Sequence, residues 1–557
     1  MYSFSKSKWA GSNPVFVVEF LFAGSLRRYC SSNQNSTIIV SDGTNDLLIP
    51  FGINQLDYLE SIDTLDLGSI QENIVSMQLN TELSLMQLWS QGITLEGVEA
   101  SVFLLLEDNN GEITQTWDNK IKLYQGVIEE PIFGDPELPE GVVSFGIELL
   151  PWNVTSMLLD QNYIDTRFST RDESANGKIY PLVFGNPGFQ VVNELNVKVN
   201  FPAFPVYCTE TYTFGNDTFF LISSQSVRST SINVWDENDK ISLDNVLIAS
   251  DSYNQEYSYV GFPVGAGIAL PGAAATGVSQ SWWGVFATSA GGISNPYRAN
   301  TALELAGDIV RWAFASTGQA VDDASFANIS NVLNRYKLAG YINDGSITGW
   351  DWIAGNILPL LPISIRMGAN GVKPILNTLS AITHVESIAS IDLGNDLECR
   401  QSSPVQVIRP TTDIVNDFSL LWGKNGLTQE YTQVSRCRHI AVDPQDIVSE
   451  YAILSTSRYG IKPKTYESDY IYDRATANLI AKDIVRDRSL VVHQMEIEMP
   501  IYYGYLQVGD VLSVSSDFLN LSNHKMLIVQ KKWHDGLINW IYILQFELNP
   551  IQNIRSK

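Results

Sequence analysis

The stretch LNRYKLAGYINDGSITGWDWIAGNILPLLPISIRMGANGVKPIL, which runs over Leu333–Leu376, decides how the rest of the chain is interpreted. A helix is predicted from about Gly349 to Leu358, and Pro359 and Pro362 end it. Two short apolar strands then flank Gly368–Gly371, which is typical of a β-hairpin. The stretch contains no catalytic or phosphate-binding motif.

The C-terminal part of the chain is predicted to consist of strands with one helix among them. Asp473 is a suitable N-cap for a helix over Asp473–Arg488, and Arg486 suits its C-terminal dipole. The apolar residues of this helix recur at helical spacing: Ala477, Ile480, Ala481, Ile484 and Val485. Gly509-Asp510-Val511 is predicted as a turn before a strand, because glycine permits unusual backbone angles and aspartate caps turns. The predicted strands are His493–Met499, Val511–Val514, Met526–Lys532 and Asn539–Phe546.

Residues 1–195 are predicted to form short strands separated by turns, as in an antiparallel barrel or sandwich. The first strand, Val15–Phe22, imitates the apolar core of a signal peptide, but the charge of Glu19 in its middle favours a buried strand. Further strands are predicted at Ser36–Val40, Asn73–Leu79, Ala100–Leu106, Lys122–Ile128 and Gly141–Leu149. No apolar run reaches the length of a transmembrane helix, so membrane insertion is not expected.

Residues 200–298 are predicted to be a second β-rich unit, followed by a helical region. The Gly/Ala-rich stretch 264–277 lacks the spacing of a phosphate-binding loop and is predicted to be a flexible loop or a site of close backbone packing. A helix is predicted to begin near Asn300, because Thr301 and Glu304 match a capping box and an apolar stripe follows them. Another helix is predicted over Asp323–Leu338.

The order of these pieces over roughly residues 300–550 resembles the hub proteins at the tip of long-tailed bacteriophage tails, the family of the lambda-like tip attachment protein. Gly177–Pro187 also resembles a segment that recurs in tail hub and distal tail proteins. In that family, two tube-like β-domains per subunit let a homotrimer imitate a six-fold ring and close the tail tube. Family members often continue into fibre-binding regions, whereas this chain stops after the barrel, so the resemblance covers the hub portion without the fibre region.

The expected fold class is mainly β with some α, multidomain, with tail-tube-like β-barrel or sandwich domains plus a small helix-containing middle domain. The expected domains are an N-terminal β hub domain over 1–199, a β-rich second domain or insertion over 200–298, a helix-containing domain over 299–395, and a C-terminal β-barrel hub domain with one helix over 396–557. The resemblance implies a structural virion protein at the tail tip, made in the host cytoplasm. Its implied partners are the distal tail protein, the tape measure protein and tail fibre or spike proteins.

The chain carries 61 acidic and 35 basic residues, for a net charge of −26. Tight, specific nucleic-acid binding is therefore not expected, since such affinity comes from Lys and Arg on phosphates. The charge is typical of a soluble acidic protein. Alternatively, acidic residues lining a channel would let DNA pass without sticking.

The residues that could carry chemistry are sparse, so no catalytic, cofactor-binding or metal site is predicted. The four cysteines, Cys30, Cys208, Cys399 and Cys437, are far apart and are expected to be buried thiols. Cys437 and His439 are the one close Cys–His pair, and two ligands do not make a metal site. The chain has five histidines, of which His524 and His534 are predicted to lie in solvated turns.

Two other classes of function remain open. A tail-associated cell-wall or polysaccharide hydrolase would use a carboxylate pair such as Glu129–Glu130 with Asp135, although any acidic protein offers such pairs. A host-glycan-binding adhesin would use the 13 tryptophans and 24 tyrosines, which serve β-sheet cores equally well.

Overall fold

The computed structural model describes the greater part of the chain. The described residues are 13–31, 37–39, 45–47, 53–61, 74–80, 92, 94–107, 120–133, 142–149, 156–159, 163–164, 175–188, 190–192, 198–200, 204–213, 217–223, 232–236, 239–241, 245–250, 256–262, 282–286, 295–299, 301–368, 371–378, 382, 385–394, 399–409, 411–426, 428–533 and 539–546. They fall into two compact units, and each is built from separated segments of the chain. Unit 1 comprises residues 1–152, 363–410 and 491–557, and unit 2 comprises residues 153–362 and 411–490.

Unit 1 is built on a 14-stranded sheet. The strands of the first segment are β1 (Asn13–Phe22), β2 (Ser25–Cys30), β3 (Thr37–Ile39), β4 (Asn45–Leu47), β5 (Ile53–Ser61), β6 (Ile74–Asn80), β7 (Glu99–Glu107), β8 (Ile121–Phe133) and β9 (Val142–Leu149). Those of the later segments are β21 (Ile363–Gly368), β22 (Gly371–Leu376), β23 (Ala389–Asp392), β24 (Arg400–Gln401), β25 (Gln406–Val407), β30 (His493–Met499), β31 (Val511–Ser516), β32 (Leu521–Trp533) and β33 (Trp540–Phe546). The main path of the sheet is β2-β1-β7-β8-β9-β6-β5-β32-β33-β30-β24, and β31, β23 and β25 branch from it.

Strands from both ends of the chain share one hydrophobic core in unit 1. Phe16 on β1 lies 5.2 Å, between ring centres, from Trp533 on β32, and Trp533 lies 5.1 Å from Trp540 on β33. Alternation explains this burial, because every second side chain of a strand faces the same side. The expected strand over Val15–Phe22 is confirmed as β1, which lies inside the sheet between β2 and β7.

The turn predicted at Gly509-Asp510-Val511 is confirmed. Gly509 has φ +91°, and a Cβ added there would lie 1.9 Å from Cγ2 of Ile375 on β22. Both the backbone angle and the close approach therefore require glycine. The hairpin predicted around Gly368–Gly371 is also present, as antiparallel β21 and β22.

Unit 2 contains a seven-stranded sheet, a helical region and a smaller four-stranded sheet. Its strands are β10 (Leu182–Phe184), β11 (Gln190–Val192), β12 (Lys198–Asn200), β13 (Phe204–Thr213), β14 (Asp217–Ser223), β15 (Ile232–Asp236), β16 (Asp239–Ile241), β17 (Asn245–Ser250), β18 (Glu256–Phe262), β19 (Trp282–Phe286), β20 (Gly340–Ile342), β26 (Asp417–Lys424), β27 (Tyr431–Arg438), β28 (Ile447–Val448) and β29 (Pro463–Glu467). Its helices are α1 (Ala306–Ser316), α2 (Asp323–Asn328), α3 (Ser330–Leu333), α4 (Gly349–Trp352, continued by a π turn to Ile357 and a 3-10 turn to Leu360), α5 (Glu450–Tyr459) and α6 (Arg474–Arg488). The seven-stranded sheet, β16-β15-β19-β13-β14-β18-β17, is formed within residues 204–286.

An aromatic cluster joins three distant segments of unit 2. The rings of Phe184 on β10, Trp352 on α4 and Tyr470 lie 5.6–5.9 Å apart between centres. Strand β10 pairs with β20, and a Cβ on Gly340 would lie 2.3 Å from Tyr470. The Gly177–Pro187 segment and the Leu333–Leu376 stretch therefore meet in one packed site, which burial of the aromatic rings stabilises.

The capping box predicted at Thr301 and Glu304 is wrong. Helix α1 begins at Ala306, and its N-cap, Leu305, makes no side-chain capping bond. The reason is backbone pairing. The Ala306 amide donates to the Tyr336 carbonyl oxygen, and the Leu338 amide donates to the Glu304 carbonyl oxygen. The helix predicted over Asp323–Leu338 is replaced by two shorter helices, α2 and α3. It ends early because residues 336–338 pair with residues 304–306.

The C-terminal helix is confirmed as α6, with Asp473 as its N-cap. A further helix, α5, was not predicted from the sequence. Buried Asn416 holds its end, because its amide donates to Ser455 Oγ at 3.0 Å and to the Gly460 carbonyl oxygen at 2.8 Å. The mainly β, multidomain fold class with some α is confirmed. The four-domain division stays a prediction.

Candidate assembly site

The centre of the 14-stranded sheet is a seam where the two ends of the chain meet. Strand β5 from the N-terminal segment pairs antiparallel with the second half of β32, with Gln530 opposite Ser61 and Trp533 opposite Tyr58. We call β1, β2 and β5–β9 the first lobe, and β23–β25 with β30–β33 the second lobe. The seam makes the two lobes one continuous sheet, in which main-chain hydrogen bonds cross from lobe to lobe.

A buried ammonium supports the seam from inside the core. Lys531 on β32 is 1% exposed and donates hydrogen bonds to the carbonyl oxygens of Gly504, at 2.6 Å, and Leu506, at 2.9 Å. Its Nζ lies 4.3 Å from the centre of the Trp540 ring, a cation–π geometry. Burial lowers the pKa of Lys531 to about 7, because loss of water disfavours the charged amine.

The Gly509 turn brings a carboxylate to the same region. Oδ2 of Asp510 accepts a hydrogen bond from the backbone amide of Gln507 at 2.7 Å, and Lys373 Nζ donates to Gln507 Oε1 at 2.5 Å. Burial raises the pKa of Asp510, and the positive charges of Lys373, Arg366 and Lys531 oppose that rise. These contacts hold the Gly509 turn and the 3-10 segment Ile501–Tyr505 against β32, so their role is structural.

The first lobe ends at β2. Among the described strands, β2 pairs with β1 alone, so β2 is an edge strand of the described sheet. Leu21 and Leu26 face each other across the β1–β2 hairpin and are 62% and 53% exposed. An edge strand beside exposed leucines is typical of a surface that pairs with another chain.

The main path of the second lobe ends at the short strands β24 and β25, which both pair with β30, while β23 ends the branch through β31. Val407 on β25 is 58% exposed. Arg400 Nε donates to Glu498 Oε2 at 2.7 Å, and Ser402 Oγ donates to Glu496 Oε1 at 2.7 Å, so polar contacts order this edge. The sheet therefore has a different edge at each end.

The chemical groups singled out in the sequence are not brought together. Cys437 is buried, which raises its pKa to about 12, and Nδ1 of His439 has no hydrogen-bond partner among the described residues. Within the described ranges, no three His, Cys, Asp or Glu side chains are grouped to hold a metal ion. His384, His534 and Asp135 lie outside the described residues, as does the side chain of Cys208.

His524 differs from its prediction as a turn residue. It lies on β32, with its ring 5.8 Å from that of Phe546, and His493 on β30 stacks at 5.6 Å on the same ring. Burial lowers the pKa of His493. These histidines therefore pack on an aromatic ring. No helix in the described part of the chain is long and apolar enough to cross a membrane.

The seam itself is the feature that the sequence analysis missed. Residues 58–61 and 530–533 are separated by most of the chain, and neither segment carries a signal for its partner. A strand is predicted over Met526–Lys532 but none over residues 58–61, and the pairing of distant strands is decided by packing.

No protein-family model matches the sequence, and no curated protein matches it. Among solved structures, the chain is similar to a tail protein from Neisseria meningitidis MC58, with 9% identity, 95% of each chain covered and a TM-score of 0.39. It is also similar to the 43 kDa tail protein of prophage MuSo2 from Shewanella oneidensis, with 8% identity, 96% and 97% coverage and a TM-score of 0.37. A third similarity is to a Francisella PdpA–VgrG complex, at 8% identity and a TM-score of 0.28, with 96% of this chain and 57% of that one covered. TM-scores below 0.5 do not establish a common fold, and these identities do not establish a family.

Proposed function

We propose that this chain is a structural hub protein of a bacteriophage tail tip or baseplate. In this proposal it acts as a homotrimer that closes the tail tube, offers a platform to fibre or spike and distal tail proteins, and contacts the tape measure protein. It performs no catalysis, and its place is the virion. The resemblance in the sequence, in the order of pieces over residues 300–550, supports this assignment.

The observation that carries the proposal is the seam between β5 and β32. It joins two β-lobes edge to edge within one chain and leaves β2 at one end and β24 with β25 at the other. A contact between the β2 edge of one copy and the β24–β25 edge of the next would be head-to-tail, and such contacts form a ring when the rotation between copies closes. Three copies of a two-lobed chain would present six lobes, as a six-fold tube requires.

The charge of the chain suits a channel for DNA. A net charge of −26 repels the phosphate backbone, so DNA would pass the wall without binding it. Repulsion is screened beyond about 8 Å at physiological salt, so the acidic residues would have to line the lumen. A basic or apolar lumen would contradict this part of the proposal.

The decisive experiment is to determine the oligomeric state and shape of the purified full-length chain. Light scattering should give the mass of three copies, and negative-stain microscopy should show a ring with an open or plugged centre. A monomer at virion-like local concentration, or a ring of six copies, would contradict the trimeric hub. Hydrolysis of peptidoglycan or polysaccharide that is lost on one carboxylate-to-amide change would contradict the assignment as a non-enzyme.

Host recognition is proposed to belong to a separate fibre or spike chain docked on the hub. Residues 550–557 lie outside the described part of the structure, and we propose that they contribute to that docking. A stable interface for such a partner should bury at least about 1,000 Å². Deletion of Pro550–Lys557 should leave the trimer intact and reduce fibre incorporation, whereas saturable binding of the hub alone to host cells would contradict this division of labour.

A further inference from the structure

Unit 2 contains a cavity of about 260 Å³ that the hub function does not use. Three segments form its walls: α1, the pair α2 and α3, and the segment over residues 295–299. The floor is apolar, with Phe326 and Leu333 buried, and Gly307 lets α1 approach α3 closely because a Cβ there would lie 3.2 Å from Leu333. The cavity is therefore a product of packed secondary structure.

The polar walls of this cavity are ordered by two ion pairs. Arg298 Nε donates to Asp308 Oδ2 at 2.6 Å, and the amide of Asn295 donates to the same oxygen at 2.7 Å. Arg311, one turn further along α1, pairs with Asp323 on α2. Two arginines and two aspartates balance, so the cavity is polar and has no net charge from these groups.

One wall offers a hydrogen-bond donor that lacks an acceptor. The Arg311 guanidinium lies 3.8 Å from the centre of the Tyr297 ring, which fixes its plane. Its Nε is buried and has no hydrogen-bond partner among the described residues. A buried donor without an acceptor is unfavourable, so a ligand oxygen that reached it would gain a hydrogen bond. The carboxylates of Asp308 and Asp323 supply acceptors nearby.

We propose that this cavity binds one neutral sugar residue. A pyranose ring has hydroxyls that both donate and accept, and apolar C–H faces, and this combination matches fixed arginines, carboxylates and the Phe326 floor. An anionic ligand gains little here, because Asp308 and Asp323 already neutralise the arginines and the whole chain, at −26, repels it. An apolar ligand would leave the polar walls unpaired. This binding site is independent of the proposed hub function.

The test is saturation-transfer NMR of the full-length chain with glucose, galactose and N-acetylglucosamine, and with glucuronate as the anionic probe. We expect at least one neutral sugar to bind, and to bind better than glucuronate. Arg311→Met should weaken binding by about tenfold or more, the value of a charge-assisted hydrogen bond. Ala327→Trp should abolish binding, since Ala327 lines the cavity and the larger side chain would fill it without removing an ion pair.

Lys337→Met is the matched control, because Lys337 pairs with Glu304 on the same unit and does not line the cavity. It should leave binding unchanged. Circular dichroism should show that each variant is folded. No binding of any neutral sugar, tighter binding of glucuronate, or binding that survives both cavity variants would overturn the proposal.

Discussion

Lys531 holds its ammonium 4.3 Å from the centre of the Trp540 ring, inside the core of unit 1 and behind the seam between β5 and β32. An amine in this position is stabilised by two carbonyl acceptors and an aromatic face but loses all of its water. The loss of water is the larger effect, because burial lowers the pKa of Lys531 from the ordinary 10.5 to about 7.

This pKa shift predicts a pH dependence of stability. From pH about 7 to about 9.5 the unfolded chain keeps the Lys531 proton more tightly than the folded one, so the free energy of unfolding should rise with pH, by at most about 1.4 kcal/mol per unit. Below pH about 7 the full cost of burying the charge is present. Urea unfolding of the wild type and Lys531→Met across this range should show the slope in the wild type alone.

Lys532→Met is the control for that experiment. Lys532 lies on the same strand, is partly exposed and pairs with Glu496 at 3.2 Å. The variant should keep the slope of the wild type. Equal slopes for Lys531→Met and the wild type would mean that Lys531 is not the titrating group.

Gly509→Ala should destabilise unit 1 by about 2–4 kcal/mol, because the new methyl meets Ile375 and the backbone angle is strained. Gly24→Ala is the matched control: its φ is +77° but nothing lies within 4 Å, so it should cost only about 1 kcal/mol. The double variant Gly509→Ala with Ile375→Ala should be less destabilised than the sum of the single changes, as measured by chemical denaturation. Strict additivity would show that the contact with Ile375 does not cause the loss.

Asp473 caps a helix in the structure, whereas Thr301, which has the sequence pattern of a cap, does not. Asp473→Ala should cost about 1 kcal/mol, because Asp473 Oδ2 accepts from both the amide and the hydroxyl of Thr476 at 2.8 Å. Thr301→Ala should cost less than about 0.5 kcal/mol, since the Thr301 hydroxyl caps no helix and donates to the Arg298 carbonyl oxygen instead. Denaturant unfolding measures both losses of stability. A larger loss for Thr301→Ala than for Asp473→Ala would show that the Thr301 capping box does form.

One charged substitution on β2 tests whether the chain assembles through this edge. Leu26→Asp should convert the expected trimer to a folded monomer, because Leu26 is half exposed and a buried interface would not tolerate an unpaired carboxylate. Phe518→Asp is the control, since Phe518 is 91% exposed and lies in the turn between β31 and β32, not on β2. Light scattering of both variants decides the matter: a trimeric Leu26→Asp would exclude this edge from the interface.

The thiols should be inert in the folded chain. Cys30, Cys399 and Cys437 are at most 2% exposed, and burial raises the pKa of Cys437 to about 12. In a Cys208→Ser background, a thiol reagent at neutral pH should label none of these three until denaturant is added, because the thiolate is the reactive form. Rapid labelling of the native protein would contradict their burial.

Local features of this chain followed from its sequence because their causes are local. A nearly continuous apolar run specifies β1, and alternating apolar residues specify β6 and β9. The Asp473 cap and apolar spacing specify α6, and glycine with aspartate specifies the turn at 509–510. The same local reasoning was wrong at Thr301, where a cap motif was present but the backbone of residues 304–306 paired with residues 336–338. Tertiary hydrogen bonds there outweighed a preference worth about 1 kcal/mol.

The sequence by itself determined that the chain is mainly β, acidic and poor in catalytic groups, since composition and period are properties of short windows. Only the tertiary structure decided that β5 pairs with β32, that Lys531 is buried beside Trp540, and that Arg298 and Arg311 line one cavity. These contacts join residues that are distant in the chain. Their free energy comes from mutual burial and hydrogen bonding, which no single segment encodes.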